Sequence, residues 1–291
     1  MRRIKIYPER LKYRTGETVS GYVEVLSDKD FDFTEMYVEL VCREHSYFTV
    51  GSGDDEETYR EEYFHHSERN AIMEPGEFQQ RSIQAPFSFK IPEHLPTSYD
   101  GASGWIEYTL DAKIGVKWRL DSKDRVPIVV IGREHKPHPE SIRQSLLDDE
   151  TILLDLEIDR DAITLGEDIV IKYRIDEMKN MRGLRFDLVA RELVIAQRHS
   201  HTSEKVMATQ FIDEDSLQGR SWTKAILHTD ERMLASFKGP LITLTILIKA
   251  VIDIPWRKDK DLTIEILTTR SIPWDDFTIE LEHDKRDEIF G

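Results

Sequence analysis

The chain has 291 residues, of which 39% are hydrophobic and 33% charged, with a formal net charge of −16 and one cysteine. This is enough apolar material for two ordinary cores, while the acid excess opposes phosphate backbones and anionic surfaces at long range. It excludes general nucleic-acid binding but leaves room for a local basic patch. One cysteine cannot close an intrachain disulfide, and no leader core or membrane-length apolar run is present, so the expected setting is the cytoplasm.

Residues 1–14 are the most basic part of this acidic protein, with Arg2, Arg3, Lys5, Arg10, Lys12 and Arg14 facing Glu9 alone. Ile4 and Ile6 alternate with Arg3 and Lys5, which predicts a strand with one charged face. Such charge suits first an edge strand that must resist aggregation, and the alternative is an acid-binding strip formed by Arg3, Lys5, Arg10 and Lys12.

Residues 13–25, YRTGETVSGYVEV, place a turn at Thr15-Gly16 ahead of alternating Val19, Val23 and Val25. Their counterpart is ITLGEDIVIKYRI at 163–175, with Gly166-Glu167 for Gly16-Glu17. MYVELVCRE at 36–44 is echoed by LRFDLVARE at 184–192, an offset of 148 that pairs Leu40 with Leu188, Arg43 with Arg191 and Glu44 with Glu192. GSGDDEETYREE at 51–62 reads as a solvated hairpin tip, because it lacks the ligand spacing and turn glycine of a calcium loop. Pro86, Pro92 and Pro96 mark 85–96 as an exposed edge strand running into a loop.

The longest repeat pairs 98–121 with 236–259 at an offset of 138, bringing Tyr99 onto Phe237, Gly101 onto Gly239, Trp118 onto Trp256 and Arg119 onto Arg257. Each copy runs from a glycine-bearing turn into period-two apolar residues, from Ile106 to Trp118 and from Leu244 to Trp256, the pattern of a strand buried on one face. Three matching segments in one order predict a duplicated unit. The expected organisation is a first β-sandwich at 1–132, a linker at 133–150, a second β-sandwich at 151–272 and an acidic tail at 273–291. Short helical turns are expected at 141–147 and 231–237.

A search for chemistry assigns no catalytic, cofactor or metal residue. His65 and His66 are adjacent and point to opposite faces of a strand, and His199 and His201 have no Cys pair or HExxH helix beside them. A GxSxG elbow and a phosphate-cradling glycine loop are also missing. Cys42 falls on the apolar face with Val38 and Leu40, and is expected in the core. The repeated Trp118-Arg119 and Trp256-Arg257 are expected to pack at a structural corner.

The turn Tyr13-Arg14-Thr15-Gly16-Glu17, the stretch Phe87-Ser88-Phe89-Lys90-Ile91-Pro92, and Ser98-Tyr99 with Gly101 before Ile106-Glu107-Tyr108 together resemble the N-terminal domain of arrestin-like proteins. The resemblance implies an all-β fold of two tandem antiparallel sandwiches of immunoglobulin-like, arrestin type. It also implies a scaffold that binds other proteins rather than an enzyme. Without a PPxY motif the chain is closer in appearance to the sporulation-control and retromer-subunit branches. The alternative is a hydrolase or carbohydrate-binding protein with a site between the domains, which paired, pKa-shifted carboxylates in a deep pocket would favour.

The tail alternates Phe277, Ile279 and Leu281 with polar residues and is strongly acidic. By the same resemblance it is expected to add to a sheet edge near Arg3, Lys5, Arg10 or Lys12, within one chain or between the chains of a homodimer.

Overall fold

The computed structural model of the chain describes residues 2–132, 139–149, 151–175, 181–256 and 258–270. Its first half contributes β1 (Arg2–Pro8), β2 (Lys12–Arg14), β3 (Thr18–Ser27), β4 (Phe31–Phe33), β5 (Glu35–Val50) and β6 (Glu57–Ala71). These are followed by β7 (Gly76–Phe78), β8 (Ser82–Lys90), β9 (Tyr99–Asp100), β10 (Gly104–Gly115) and β11 (Ser122–Ile131). The second half contributes β12 (Ile142–Asp148), β13 (Thr151–Ile158), β14 (Ala162–Leu165), β15 (Ile169–Ile175) and β16 (Gly183–Ala196). It ends with β17 (His199–Asp213), β18 (Thr223–Leu227), β19 (Phe237–Lys238), β20 (Ile242–Asp253) and β21 (Lys260–Arg270).

Each half is a sandwich of a small sheet and a large one. The first pairs β1-β3-β8 with β2-β11-β10-β5-β6, and the second pairs β12-β13-β15-β18 with β14-β21-β20-β16-β17. Period-two patterning explains the cores. Ile106, Tyr108, Leu110, Ala112 and Ile114 on β10 are buried, as are Leu244, Ile246, Ile248, Ala250 and Ile252 on β20. Cys42 is buried beside Val38 and Leu40, as its phase requires.

The halves agree down to register. β1 sets Ile4 against Val25 and Ile6 against Val23, and β13 sets Leu154 against Ile175 and Leu156 against Tyr173. The Gly-Glu turns match as well: Glu17 N–H donates to Arg14 C=O and Glu167 N–H to Thr164 C=O, both at 3.0 Å. Gly16 and Gly166 stand at φ 84° and 97°, backbone that glycine adopts without a Cβ penalty.

Two expected helical turns are corrected. Residues 142–148 form β12, because pairing with β13 supplies partners for the backbone and buries part of Ile142 and Leu146. Residues 231–236 are turn and loop, and Phe237 opens β19. The stretch expected as a connector therefore supplies a strand to the second sandwich. No α-helix occurs among the described residues, and no helix is long and apolar enough to cross a membrane.

Candidate interaction surfaces

The two sandwiches meet where their repeated segments cross. Glu44 closes LVCRE on β5 and is fully buried, 0% exposed. Its Oε1 accepts hydrogen bonds from the N–H groups of Leu241 (2.9 Å) and Ile242 (2.6 Å), where β20 begins, and its Oε2 lies 2.6 Å from His65 Nε2. Glu192, its counterpart on β16, is 4% exposed. It accepts from Ser103 N–H at 2.7 Å, just before β10, and from the Tyr99 hydroxyl at 2.6 Å. Ser103 and Leu241 are themselves counterparts at the offset of 138.

The joint is thus a pseudo-two-fold contact in which each half gives a carboxylate and receives one, the reciprocity of an isologous interface. Tyr99 and Phe237, equivalent residues, meet edge to face at 4.7 Å. The repeated glycines belong here too. A Cβ on Gly101 would fall 1.7 Å from Glu192 Oε2, and one on Gly239 would fall 2.5 Å from Glu44 Oε1. Burial, followed by the Glu192 charge, pushes the Tyr99 phenol well above its ordinary range, so it remains a donor.

Three of the histidines considered as ligands, His65, His199 and His201, take part in this joint. His199 stacks on Tyr59 and His201 on Phe48, across the two halves. No group of three or more potential ligands occurs among the described residues. Nearby, Asp100 from the first half and Lys205, Met207, Asp230, Arg232 and Met233 from the second line a cavity of about 370 Å³. Asp230 there is hydrogen-bonded to Arg232, which holds its carboxyl down to about 2.

The basic residues singled out in the sequence do not form one strip. Arg3 and Lys5 lie on the outward face of edge strand β1, whereas Arg10 leans on Tyr13 (4.9 Å) and lies 3.6 Å from Glu17, and Lys12 is on β2 of the other sheet. Lys5 pairs with Asp124, and the same carboxylate accepts the outward Ile6 N–H at 2.9 Å. Tyr7 and Tyr22 stack beside them at 4.9 Å and are partly exposed. Phe277, Ile279 and Leu281 lie outside the described residues.

Trp118 and Trp256 do occupy matching ends of matching strands, at the β10–β11 and β20–β21 turns. They pack at no corner, however, being 94% and 97% exposed, because a positive φ of 63° aims each side chain away from its sandwich.

The family model for the arrestin (or S-antigen) N-terminal domain matches residues 3–135. The chain is also 28% identical over 135 residues to arrestin domain-containing protein 17 of Caenorhabditis elegans. That match takes in 42% of this chain and 32% of the relative, so it spans about a third of the relative's length. The first sandwich is thus similar to the arrestin N-terminal domain, and the second repeats its topology and register.

Proposed function

We propose that the protein is a non-catalytic adaptor that binds an extended, acidic peptide segment along the outer edge of β1. The observation that carries this reading is the difference between two otherwise equivalent sheets. In the second sandwich β12 adds to the outer edge of β13. In the first, among the described residues, β1 forms a ladder only with β3.

Side chains of β11 stand in the corresponding place. Asp124 receives the Ile6 N–H and pairs with Lys5, and Ser122 bonds to Arg2. Asp124 therefore does for Lys5 and the Ile6 amide what an acidic strand would do, and such a strand would take over both partners as Asp124 turns to solvent. The exposed Tyr7–Tyr22 pair offers an apolar seat for alternate side chains of the incoming segment.

The chain's own residues 273–291 have the required chemistry, with apolar Phe277, Ile279 and Leu281 alternating among acids. The backbone ladder and this apolar stripe would supply most of the affinity, since exposed ion pairs contribute only about 0–1 kcal/mol each. The contrary reading, a hydrolase or sugar site between the halves, has less support. The buried carboxylates there are taken up by backbone N–H groups and Tyr99, and the nearby cavity carries a carboxylate already paired with arginine.

The test is binding of a synthetic 273–291 peptide to the chain truncated after residue 272, with and without Arg3→Glu and Lys5→Glu. Saturable binding that the two reversals weaken at least tenfold is expected. Binding of equal strength to both forms, or none to either, sinks the proposal.

A further inference from the structure

The duplication supplies an internal comparison for the turn at residues 230–234. At the offset of 138 it repeats the turn at 92–96: Leu95 N–H donates to Pro92 C=O at 3.4 Å, and Met233 N–H to Asp230 C=O at 3.0 Å. Leu95 is 5% exposed and belongs to the core. Met233, its counterpart, is only half-buried and lines the cavity of about 370 Å³ between the halves. One turn geometry thus closes over the core in the first sandwich and stands open in the second.

A second wall is shaped for the same opening. Lys205, Val206 and Met207 are consecutive on β17, and all three line the cavity. A regular strand cannot do this, because successive side chains point to opposite faces. A bulge makes it possible: Leu188 pairs with Ala208 and Val189 with Val206, so Met207 is an extra residue that re-aims its neighbours. In the first sandwich the bulge falls between Cys42 and Arg43 rather than at the equivalent Leu40 and Val41, and its extra residue, His65, goes to Glu44 instead.

The lining defines the ligand. Met207, Met233 and Leu234 are half-buried and offer thioether and aliphatic surface that adapts to apolar bodies of varied shape. The charged groups balance, with two acids, Asp100 and Asp230, against two bases, Lys205 and Arg232. Asp230 and Arg232 hold each other through two contacts of 3.0 Å. The other acid and base come from different halves, Asp100 from β9 and exposed Lys205 from β17. A net anion would set its charge against the acids and a net cation against the bases, whereas a zwitterion suits both. An ionised carboxylate has about four acceptor sites, so Asp100 can take a ligand ammonium alongside its partner within the chain.

We propose that this cavity binds a small zwitterion with an apolar body, the class of the apolar α-amino acids and their dipeptides. The ligand carboxylate pairs with Lys205, its ammonium with Asp100, and its side chains lie over Met207, Met233 and Leu234. A volume of about 370 Å³ falls within the usual range of small-ligand sites, about 300–1,000 Å³. Asp100 follows Tyr99, whose hydroxyl donates to Glu192. An occupant therefore fastens β9 of the first sandwich to β17 of the second beside the joint, and stabilises the folded chain by mass action. None of these residues belongs to the β1 edge, so this proposal and the adaptor reading stand or fall separately.

The experiment titrates the full chain with L-leucyl-L-leucine by calorimetry and follows its melting temperature. Saturable binding and a rise in melting temperature are expected. Three comparison ligands each lack one feature: the N-acetylated dipeptide has no ammonium, the dipeptide amide no carboxylate, and glycylglycine no apolar body. Each should bind about tenfold more weakly, and Lys205→Ala and Asp100→Asn should each weaken the dipeptide by about the same factor. Lys205→Ala changes an exposed position and should melt with the wild type when no ligand is present, which separates recognition from folding. The proposal is overturned if the dipeptide does not bind saturably, if any comparison ligand binds as tightly, or if either variant binds like the wild type.

Discussion

Glu44 and Glu192 occupy equivalent places in the two sandwiches, and each caps the start of a strand belonging to the other. The cap is needed because closing the joint takes backbone N–H groups of Ser103, Leu241 and Ile242 away from water. Glu44→Ala would leave two of these donors buried and unmet. At about 1–3 kcal/mol for each orphaned group, the expected loss is about 2–6 kcal/mol, measured by urea unfolding. Glu44→Gln, which keeps one acceptor oxygen, should lose less. A change within about 0.5 kcal/mol for Glu44→Ala would mean that the carboxylate does not hold the joint.

The glycines opposite these carboxylates should be as intolerant as their spacing implies. Gly101→Ala drives a methyl group into Glu192 Oε2, with the Tyr99 hydroxyl only 2.5 Å from the same point. It should therefore destabilise the chain, and should do so less when Glu192 is already alanine. A double-mutant cycle is expected to give a coupling of about 1–3 kcal/mol, and strict additivity would show that the methyl is accommodated elsewhere.

The architecture was legible in the sequence because its signals are local and repeated. Period-two burial along 106–114 and 244–252 follows from the chain itself, and the Gly16 and Gly166 turns demand a backbone that few other residues take. The joint was less legible. Glu44 and Glu192 were visible as an identical pair, but a carboxylate ending a strand usually meets water, and only the paired glycines at the offset of 138 hinted at something close by. Trp118 and Trp256 were read in the wrong environment, because apolar character ordinarily signals burial and the sign of φ cannot be seen in an alternation pattern. β12 escaped because its flanking Pro139 and capping-type serine imitate a helix start, while the edge of β13 that claims it is a tertiary feature.

Cys42 should be chemically silent in the native state. Burial pushes its thiol up to about 12, so almost no thiolate exists at neutral pH. Labelling by a maleimide or disulfide reagent is expected to proceed only through unfolding and to accelerate in urea in step with it. Fast stoichiometric labelling without denaturant would contradict the packing of β5 against β10.

Acid should weaken the first sandwich through Glu107. Burial opposes its ionisation, but the His45 hydrogen bond and the charges of His45, Arg43 and Arg125 outweigh it and hold the carboxyl below its ordinary 4.5. A carboxyl lowered in the folded state stabilises fully above the unfolded value and loses that contribution as pH falls through the folded one. Melting followed downward from pH 5 should therefore fall more steeply in the wild type than in Glu107→Gln. Parallel curves would remove Glu107 from the acid response.

Asp124 stands as the placeholder on the β1 edge, so removing it should make that edge easier to occupy. Asp124→Ala frees Lys5 and the Ile6 N–H at once. The 273–291 peptide should bind this variant of the truncated chain several-fold more tightly than it binds the unsubstituted truncated chain, as measured by titration calorimetry. Weaker binding would show that Asp124 helps the peptide rather than standing in for it.

Amide hydrogen exchange along β1 tests the adaptor reading most directly. Ile4 shares the outward parity of Ile6, so an added strand would bond its amide while leaving the ladder to β3 unchanged. In the chain truncated after residue 272, the Ile4 amide should exchange quickly, and saturating 273–291 peptide should slow it at least tenfold. Peptide that binds while the Ile4 and Ile6 amides exchange at their original rates would contradict strand addition at this edge.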